Sequence, residues 1–167
     1  LADGRDQVTA FHMSGDLLGM DAIGTGIHES AATALEDSEV CVIPYFLLQQ
    51  MTRDIPRMQT QFHKVMSREI VREHGVMALL GSMRTNERVV VFLLNLAQRF
   101  GARGYSKNAF QLRMTRAEIG SYLGLQLETV SRALSRFQEC RLLKVQQRHI
   151  EILDLEGLRA ASWGQAG

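Results

Sequence analysis

Residues 114–137 read Met114-Thr115-Arg116-Ala117-Glu118-Ile119-Gly120-Ser121-Tyr122-Leu123-Gly124-Leu125-Gln126-Leu127-Glu128-Thr129-Val130-Ser131-Arg132-Ala133-Leu134-Ser135-Arg136-Phe137. Thr115 and Glu118 stand at capping-box spacing: the hydroxyl can accept from the Glu118 amide, and the carboxylate can reach back to Thr115. The helix opened in this way carries Ile119 and Leu123 on one side. Gly124 follows and can take the left-handed conformation that ends a helix. After Leu125-Gln126 a second helix runs from about Leu127 to Cys140. Its apolar stripe is Val130, Leu134 and Phe137. At ~100° per residue, Glu128, Arg132, Ser135 and Glu139 fall on the opposite side, with Ser131 at the edge. Two short helices joined through a glycine turn, the second polar on its outer face near its start, make a helix-turn-helix.

Such a second helix fits the major groove of double-stranded DNA, where its N-terminal side chains meet base edges. Arg132 can give two donors to guanine O6 and N7. Glu128 can accept from the exocyclic amine of cytosine, and Ser131 can bond to several bases. A carboxylate beside phosphates makes sense chiefly as a base reader. The plainer alternative is that Glu128 and Arg132 form an ordinary i, i+4 surface pair.

Outward from this core, Leu142-Leu143-Lys144-Val145-Gln146-Gln147-Arg148-His149-Ile150-Glu151-Ile152-Leu153 sets two alternating runs around a polar turn and predicts a β-hairpin. Packed beside the helices it makes a winged helix, with Lys144, Arg148 and His149 able to meet phosphates and His149 placed in the solvated turn. Upstream, Phe110 to Met114 reads as a short strand. Thr85 to Phe100 reads as a helix with Val89, Phe92, Leu93 and Leu96 on one face, and Gly81-Ser82 before it as a hinge.

From Pro56, a first-turn proline, to about Leu80 the pattern is helical. One stripe is Met58, Phe62, Val65, Val76 and Leu79. A second is Met66, Ile70, Glu73, Met77 and Leu80, at alternating steps of four and three, which is a heptad seam. One stripe can cover a neighbouring domain and the other can meet a second copy of itself. The plainer alternative is one broad stripe on a buried helix. Residues 5–48 read as strands and turns, half of a β-barrel or jelly roll, followed by a short helix over Pro44 to Met51. Arg5 to Met13 alternates. Ser14-Gly15-Asp16 and Ile23-Gly24-Thr25-Gly26 are turn signals, and Ala31–Ala34 and Val40–Ile43 are strand candidates.

The chain has 167 residues with a net charge of +1, 46% hydrophobic and 22% charged residues. This composition supports a packed core and argues against wholesale disorder. The neutrality hides a segregation: residues 1–83 carry a net −5, residues 84–149 a net +8 and residues 150–167 a net −2. A basic block between acidic ones fits a polyanion-binding module, the alternative being a solvated basic surface. The apolar runs are far short of a membrane span. The first residue is Leu1, with no signal peptide, and the opening reads as cut in mid-element. Two cysteines, Cys41 and Cys140, are too few for a disulfide scaffold and fit a reducing, cytoplasmic setting. No enzyme constellation is present: the histidines are scattered, and there is no HExxH motif, phosphate loop or nucleophile elbow.

The 114–137 stretch resembles, end to end, the helix-turn-helix signature of the FNR and cyclic-AMP receptor protein superfamily of bacterial transcription regulators. Glu128-Thr129-Val130-Ser131-Arg132 resembles its FNR branch, whose Glu, Ser and Arg read a TTGAT-type half-site in an inverted repeat. Phe11-His12-Met13-Ser14-Gly15-Asp16-Leu17-Leu18-Gly19 and Asp21-Ala22-Ile23-Gly24 resemble the back half of the family's sensory barrel. Met66-Ser67-Arg68-Glu69-Ile70 sits where its dimerisation helix would be. The resemblance implies an α+β chain in three parts: 1–52, the end of a cyclic-nucleotide-binding-like β-barrel; 53–82, a long dimerisation helix and hinge; and 83–167, a winged helix-turn-helix. It implies a homodimer on double-stranded DNA, contacting bases or backbone through Thr115, Arg116, Leu127, Glu128, Ser131, Arg132 and Ser135, with RNA polymerase as a further partner.

The cyclic-nucleotide branch holds its phosphate with an Arg-Ser pair. Here the stretch is His28-Glu29-Ser30-Ala31-Ala32, and a carboxylate against a phosphate is repulsive, so no cyclic nucleotide is expected. FNR-type proteins carry an oxygen-labile [4Fe-4S] cluster on four cysteines, and Cys41 resembles the one in the barrel. The other three would precede Leu1. On residues alone Cys41 reads first as a buried structural cysteine, and only the resemblance makes it a ligand; Cys140 reads as simply packed. Glu73, at a seam position, would face its own copy in a parallel dimer, and the FNR pattern similarly has an acidic residue there. A regulator without a cluster, answering to haem, nitric oxide or another signal, is the alternative within the superfamily. A scaffold protein is the alternative outside it.

Overall fold

In the computed structural model, which describes residues 7–161, every buried side chain lies at Leu79 or later. The chain divides into two compact units. One is Phe11–Met77, and the other begins at Ala78 and includes the stretch up to Ala10.

The second unit is built on α3 (Thr85–Ala102), which buries Val89, Val90, Phe92, Leu93, Leu96 and Ala97. The expected stripe is therefore present, widened by Val90 and Ala97. A three-stranded antiparallel sheet follows in the order β1-β3-β2, made of β1 (Ala109–Gln111), β2 (Leu143–Gln146) and β3 (His149–Ile152). Phe110 pairs with Ile150, and Val145 pairs with the same Ile150 from the other side. Ile150 is thus the central residue of the sheet and is fully buried. Between the strands lie α4 (Arg116–Leu123) and α5 (Leu127–Glu139), packed on each other, with α5 also against α3 and β2. The expected winged helix-turn-helix is observed. Its hairpin turn falls at Gln147, whose φ of 56° is left-handed, so His149 is a half-buried strand residue rather than a solvated turn residue.

One element was not foreseen. α6 (Leu155–Ala161) closes the unit by setting Leu158 into the core beside α3. Its start is held by Asp154, which accepts from the Gly157 amide at 2.9 Å. An acid followed by an apolar pair three residues apart was the available signal, but seven residues are too few for a convincing periodicity.

Upstream, α1 (Tyr45–Asp54) begins just after Pro44, and α2 (Pro56–Ser82) runs unbroken for 27 residues, about 40 Å. The hinge expected at Gly81-Ser82 is displaced. Ser82 stays helical and its hydroxyl donates to the Ala78 carbonyl at 2.7 Å. The break comes at Met83-Arg84, where the Arg84 amide turns to the Glu87 carboxylate at 2.8 Å and starts α3.

The strands expected over 5–48 are not found among the described residues. Arg5 and Asp6 lie outside them, and residues 7–44 form turns, bends, irregular chain and one 3-10 turn at Met20–Ala22. A strand persists only when a neighbour takes its backbone groups, and none of the described segments supplies one here. Ile27, Val40 and Val42 are accordingly exposed.

The local turn chemistry was legible. Asp16 accepts from the Met13 amide at 2.9 Å, with Gly15 left-handed at φ 84°. Arg72 on α2 reaches Asp16 at 3.6 Å and also pairs with Glu69.

Asp21 gathers the 28–30 segment. It faces His28 Nδ1 at 3.1 Å and accepts from the Glu29 amide at 2.9 Å and the Ser30 hydroxyl at 3.2 Å. The His28 contact first, then the Glu29 amide, lower its carboxyl from 3.8 to about 2. A depressed acid stabilises its fold above its unfolded pKa and loses that contribution as pH falls through the folded value. The contacts are therefore expected to hold from neutral pH to below 3.8 and to fail near 2. The Glu29 amide shift, followed by NMR against pH, checks this. A midpoint near 3.8 would mean that the contacts do not form.

Candidate nucleic-acid interface

The turn between α4 and α5 is set by two features. Thr115 accepts from the Glu118 amide at 3.2 Å, while the Thr115 amide and hydroxyl both donate to Glu118 Oε2, at 2.5 and 2.9 Å. The expected capping box is thus complete. At the far end Gly124 adopts φ 62°, ψ 39°, and the Leu125 amide bonds back to the Gly120 carbonyl at 2.8 Å. Only a residue free of a side-chain penalty takes that conformation cheaply.

α5 then buries Val130, Ala133, Leu134 and Phe137. Burial of this stripe turns the opposite face outward. Glu128, Arg132 and Ser135 are exposed, Leu127 is 43% exposed and Ser131 is half-buried at the edge. Among the described residues neither Glu128 nor Arg132 has an intramolecular hydrogen bond or ion pair, so the i, i+4 surface pair is not what holds them. A carboxylate, a hydroxyl and a guanidinium stand free within one and a half turns, near the positive end of the helix dipole.

The wing is tied to this helix by the Gln138 side chain, which accepts from the Val145 amide at 3.2 Å. Arg116, half-buried, donates to the Gln147 carbonyl in the wing turn at 3.0 Å. Arg148 donates to the Arg113 carbonyl at 3.1 Å. Burial first, and then the nearby positive charge of Arg148, lower the Arg116 pKa from its usual value, which at the arginine range leaves it charged. Two guanidiniums held close on backbone tethers make an anion-seeking corner beside the start of α4. Sequence reasoning named both residues but not their convergence, because the wing turn folds back across thirty residues and no local signal records that. Lys144 is less available than expected, since it faces Glu151 across the hairpin at 3.8 Å.

The seam residues on α2 are divided. Ile70 and Met77 are 50% and 62% exposed and Glu73 is exposed, while Met66 is half-buried. Leu80 is half-buried and lies by Gly124, where an added β-carbon would be 3.4 Å from its Cδ2. The single-stripe alternative is not what is seen: of the other stripe only Leu79 is fully buried, and Met58, Phe62, Val65 and Val76 are half-buried.

Both cysteines are exposed. Cys140 was expected to pack. It stands just past the end of α5 at Glu139, where the helix and its buried stripe stop, and it is exposed. No cluster of three or more His, Cys, Asp or Glu able to hold a metal occurs among the described residues. A [4Fe-4S] cluster needs four ligands, and two cysteines, one in each compact unit, do not fit that demand by themselves.

Residues 87–161 match the Crp-like helix-turn-helix domain. The chain is 48% identical over 158 residues to the transcriptional regulatory protein btr of Bordetella pertussis, covering 95% of this chain and 65% of that protein. It is 44% identical over 155 residues to the anaerobic regulatory protein of Haemophilus influenzae, covering 93% of this chain and 60% of that protein. Among solved structures it is similar to FixK2 from Bradyrhizobium japonicum, with a TM-score of 0.64 and 30% identity over 70% of this chain and 57% of that one. The chain spans somewhat under two thirds of the length of these curated relatives. With the helix-turn-helix domain matched and its geometry in place, residues 87–161 are a Crp-like helix-turn-helix domain, and the chain as a whole is similar to regulators of the CRP/FNR family.

Proposed function

We propose that this protein is a sequence-specific DNA-binding transcription regulator that acts as a homodimer on TTGAT-type inverted repeats. The observation that carries the reading is the outer face of α5, where Glu128, Ser131 and Arg132 present unspent hydrogen-bonding capacity beside a basic corner. Arg132 addresses guanine and Glu128 addresses cytosine. Thr115, Arg116, Leu127 and Ser135 line the approach, and the Arg116–Arg148 corner takes backbone phosphate. A gel shift at fixed salt tests it: a TTGAT inverted repeat should bind far more tightly than a scrambled duplex. Equal binding to both would reject sequence reading and favour a scaffold role.

The resemblance and the name of the Haemophilus influenzae relative support an oxygen-responsive, anaerobic role. Cys41, exposed, would be one thiolate ligand of a [4Fe-4S] cluster in the complete protein, the others coming from outside this sequence. A family regulator without a cluster, answering to haem, nitric oxide or another signal, is the second reading. The anaerobic visible spectrum of the complete protein separates the two. A cyclic nucleotide is not the proposed signal: the donors of the 28–30 segment already face the Asp21 carboxylate, and Glu29 would repel a phosphate. RNA polymerase is the proposed further partner and the cytoplasm the proposed setting. No helix is long and apolar enough to cross a membrane among the described residues.

Dimerisation is proposed through Met66, Ile70, Glu73, Met77 and Leu80 of α2, with Glu73 opposing it by meeting its own copy. Glu73→Ala is expected to convert a largely monomeric protein into a dimer in air. Sedimentation velocity checks this, and an unchanged monomer would refute the role given to Glu73.

A further inference from the structure

Arg88, in the first turn of α3, spends its guanidinium on three backbone carbonyls from three different places. Nη2 donates to Leu80 at 2.8 Å, Nε to Met83 at 3.0 Å and Nη1 to Leu123 at 3.1 Å. Each acceptor is a helix-end or inter-helix carbonyl that lacks a helical donor. Leu80 lies in the last turn of α2. The amide that would ordinarily serve its carbonyl is that of Arg84, and this amide is turned instead to Glu87. Met83 is the break between α2 and α3. Leu123 ends α4, just before left-handed Gly124. Gly124 in turn has the Leu80 side chain and Arg88 Nη1 as its nearest neighbours, at 3.4 and 3.5 Å from where a β-carbon would stand. One planar ion thus joins the exit of the long helix to the first helix of the helix-turn-helix, all within the unit that begins at Ala78.

We propose that Arg88 is a positioning residue that sets the angle between the exit of α2 and α4, and through α4 the direction of the reading helix α5. The physical reason is the fork. A guanidinium donates in several fixed in-plane directions, so three bonds determine an orientation, whereas the single ammonium of lysine supplies charge without that geometry. The consequence for function rests on the DNA-reading role proposed above: a dimer whose two reading helices are held rigidly discriminates between half-site spacings, and one whose helices swivel does not.

Two measurements on the full chain test this separately. In a Cys41→Ser background, spin labels on Ser82→Cys and on native Cys140 report the α2-to-α5 distance by pulsed electron resonance without DNA. One narrow distribution is expected with Arg88 and a clearly broadened one with Arg88→Lys. If Arg88→Lys does not fold, Glu87→Ala, which lets the Arg84 amide reclaim the Leu80 carbonyl, is expected to broaden it likewise. A distribution that stays narrow overturns the inference. In gel shifts in a Glu73→Ala background, expected to be dimeric, the chain with Arg88 should favour half-sites one helical turn apart over a pair shifted by ~2 base pairs by about tenfold. Arg88→Lys should reduce that to within about twofold while still preferring TTGAT to scrambled half-sites. An unchanged spacing preference overturns the inference. A parent chain that gives the narrow distribution, broadened by Arg88→Lys, but has no TTGAT preference rejects the DNA reading and supports the clamp alone.

Discussion

Arg132→Ala is expected to weaken binding to a TTGAT inverted repeat by ~1–3 kcal/mol per half-site, about fivefold to 150-fold each. The loss should concentrate at one guanine: duplexes altered at that base should bind parent and variant almost alike. The fold should be indifferent, because Arg132 is exposed and the described residues give it no intramolecular partner to lose. A stability change beyond about 0.5 kcal/mol is therefore not expected. Affinities across single-base variants of the site, at one salt concentration, check the claim. An equal loss on every duplex, with a shallower salt dependence, would make Arg132 a phosphate contact and would undo its role as a reader.

Gly120→Val is expected to disrupt the same interface from inside, by about 3 kcal/mol of stability. Gly120 is buried where α4 and α5 cross, and a β-carbon there would stand 2.5 Å from the Leu125 carbonyl oxygen. That oxygen belongs to backbone in the turn and cannot swing away as a long side chain would. A glycine in a helix normally costs stability relative to alanine, by ~1 kcal/mol, so an ordinary exposed glycine would gain from substitution. Here steric overlap outweighs the propensity. Chemical denaturation of parent and variant measures the difference. A variant as stable as the parent would show that the α4–α5 turn adapts, and the fixed spacing of the two helices would lose its explanation.

The two experiments also separate what a residue does from where it stands. Arg132 is free to change because α5 is held by Val130, Ala133, Leu134 and Phe137 on its other side. Gly120 is not free, because the turn that orients α5 closes directly upon it.

Much of this was open to reading along the chain. The capping box at Thr115 and Glu118, the glycine that ends α4 and the apolar stripe of α5 are local signals, set by hydrogen-bond reach and helical period, and the structure has them where those rules put them. The outward direction of Glu128, Arg132 and Ser135 followed from the stripe alone, since a helix that buries one side must present the other. Other features needed the folded chain. The strands expected over residues 5–48 depended on neighbours that the alternating pattern could not guarantee. The break after α2 moved to Met83-Arg84 because Glu87 captured an amide. The meeting of Arg116 with Arg148, and of Arg88 with the Leu123 carbonyl, arises between segments distant in sequence. Periodicity and capping are properties of a few consecutive residues, so the order of amino acids determined the helices and their faces by itself. Which carbonyl a guanidinium finds depends on how those helices cross, and only the tertiary structure decided that.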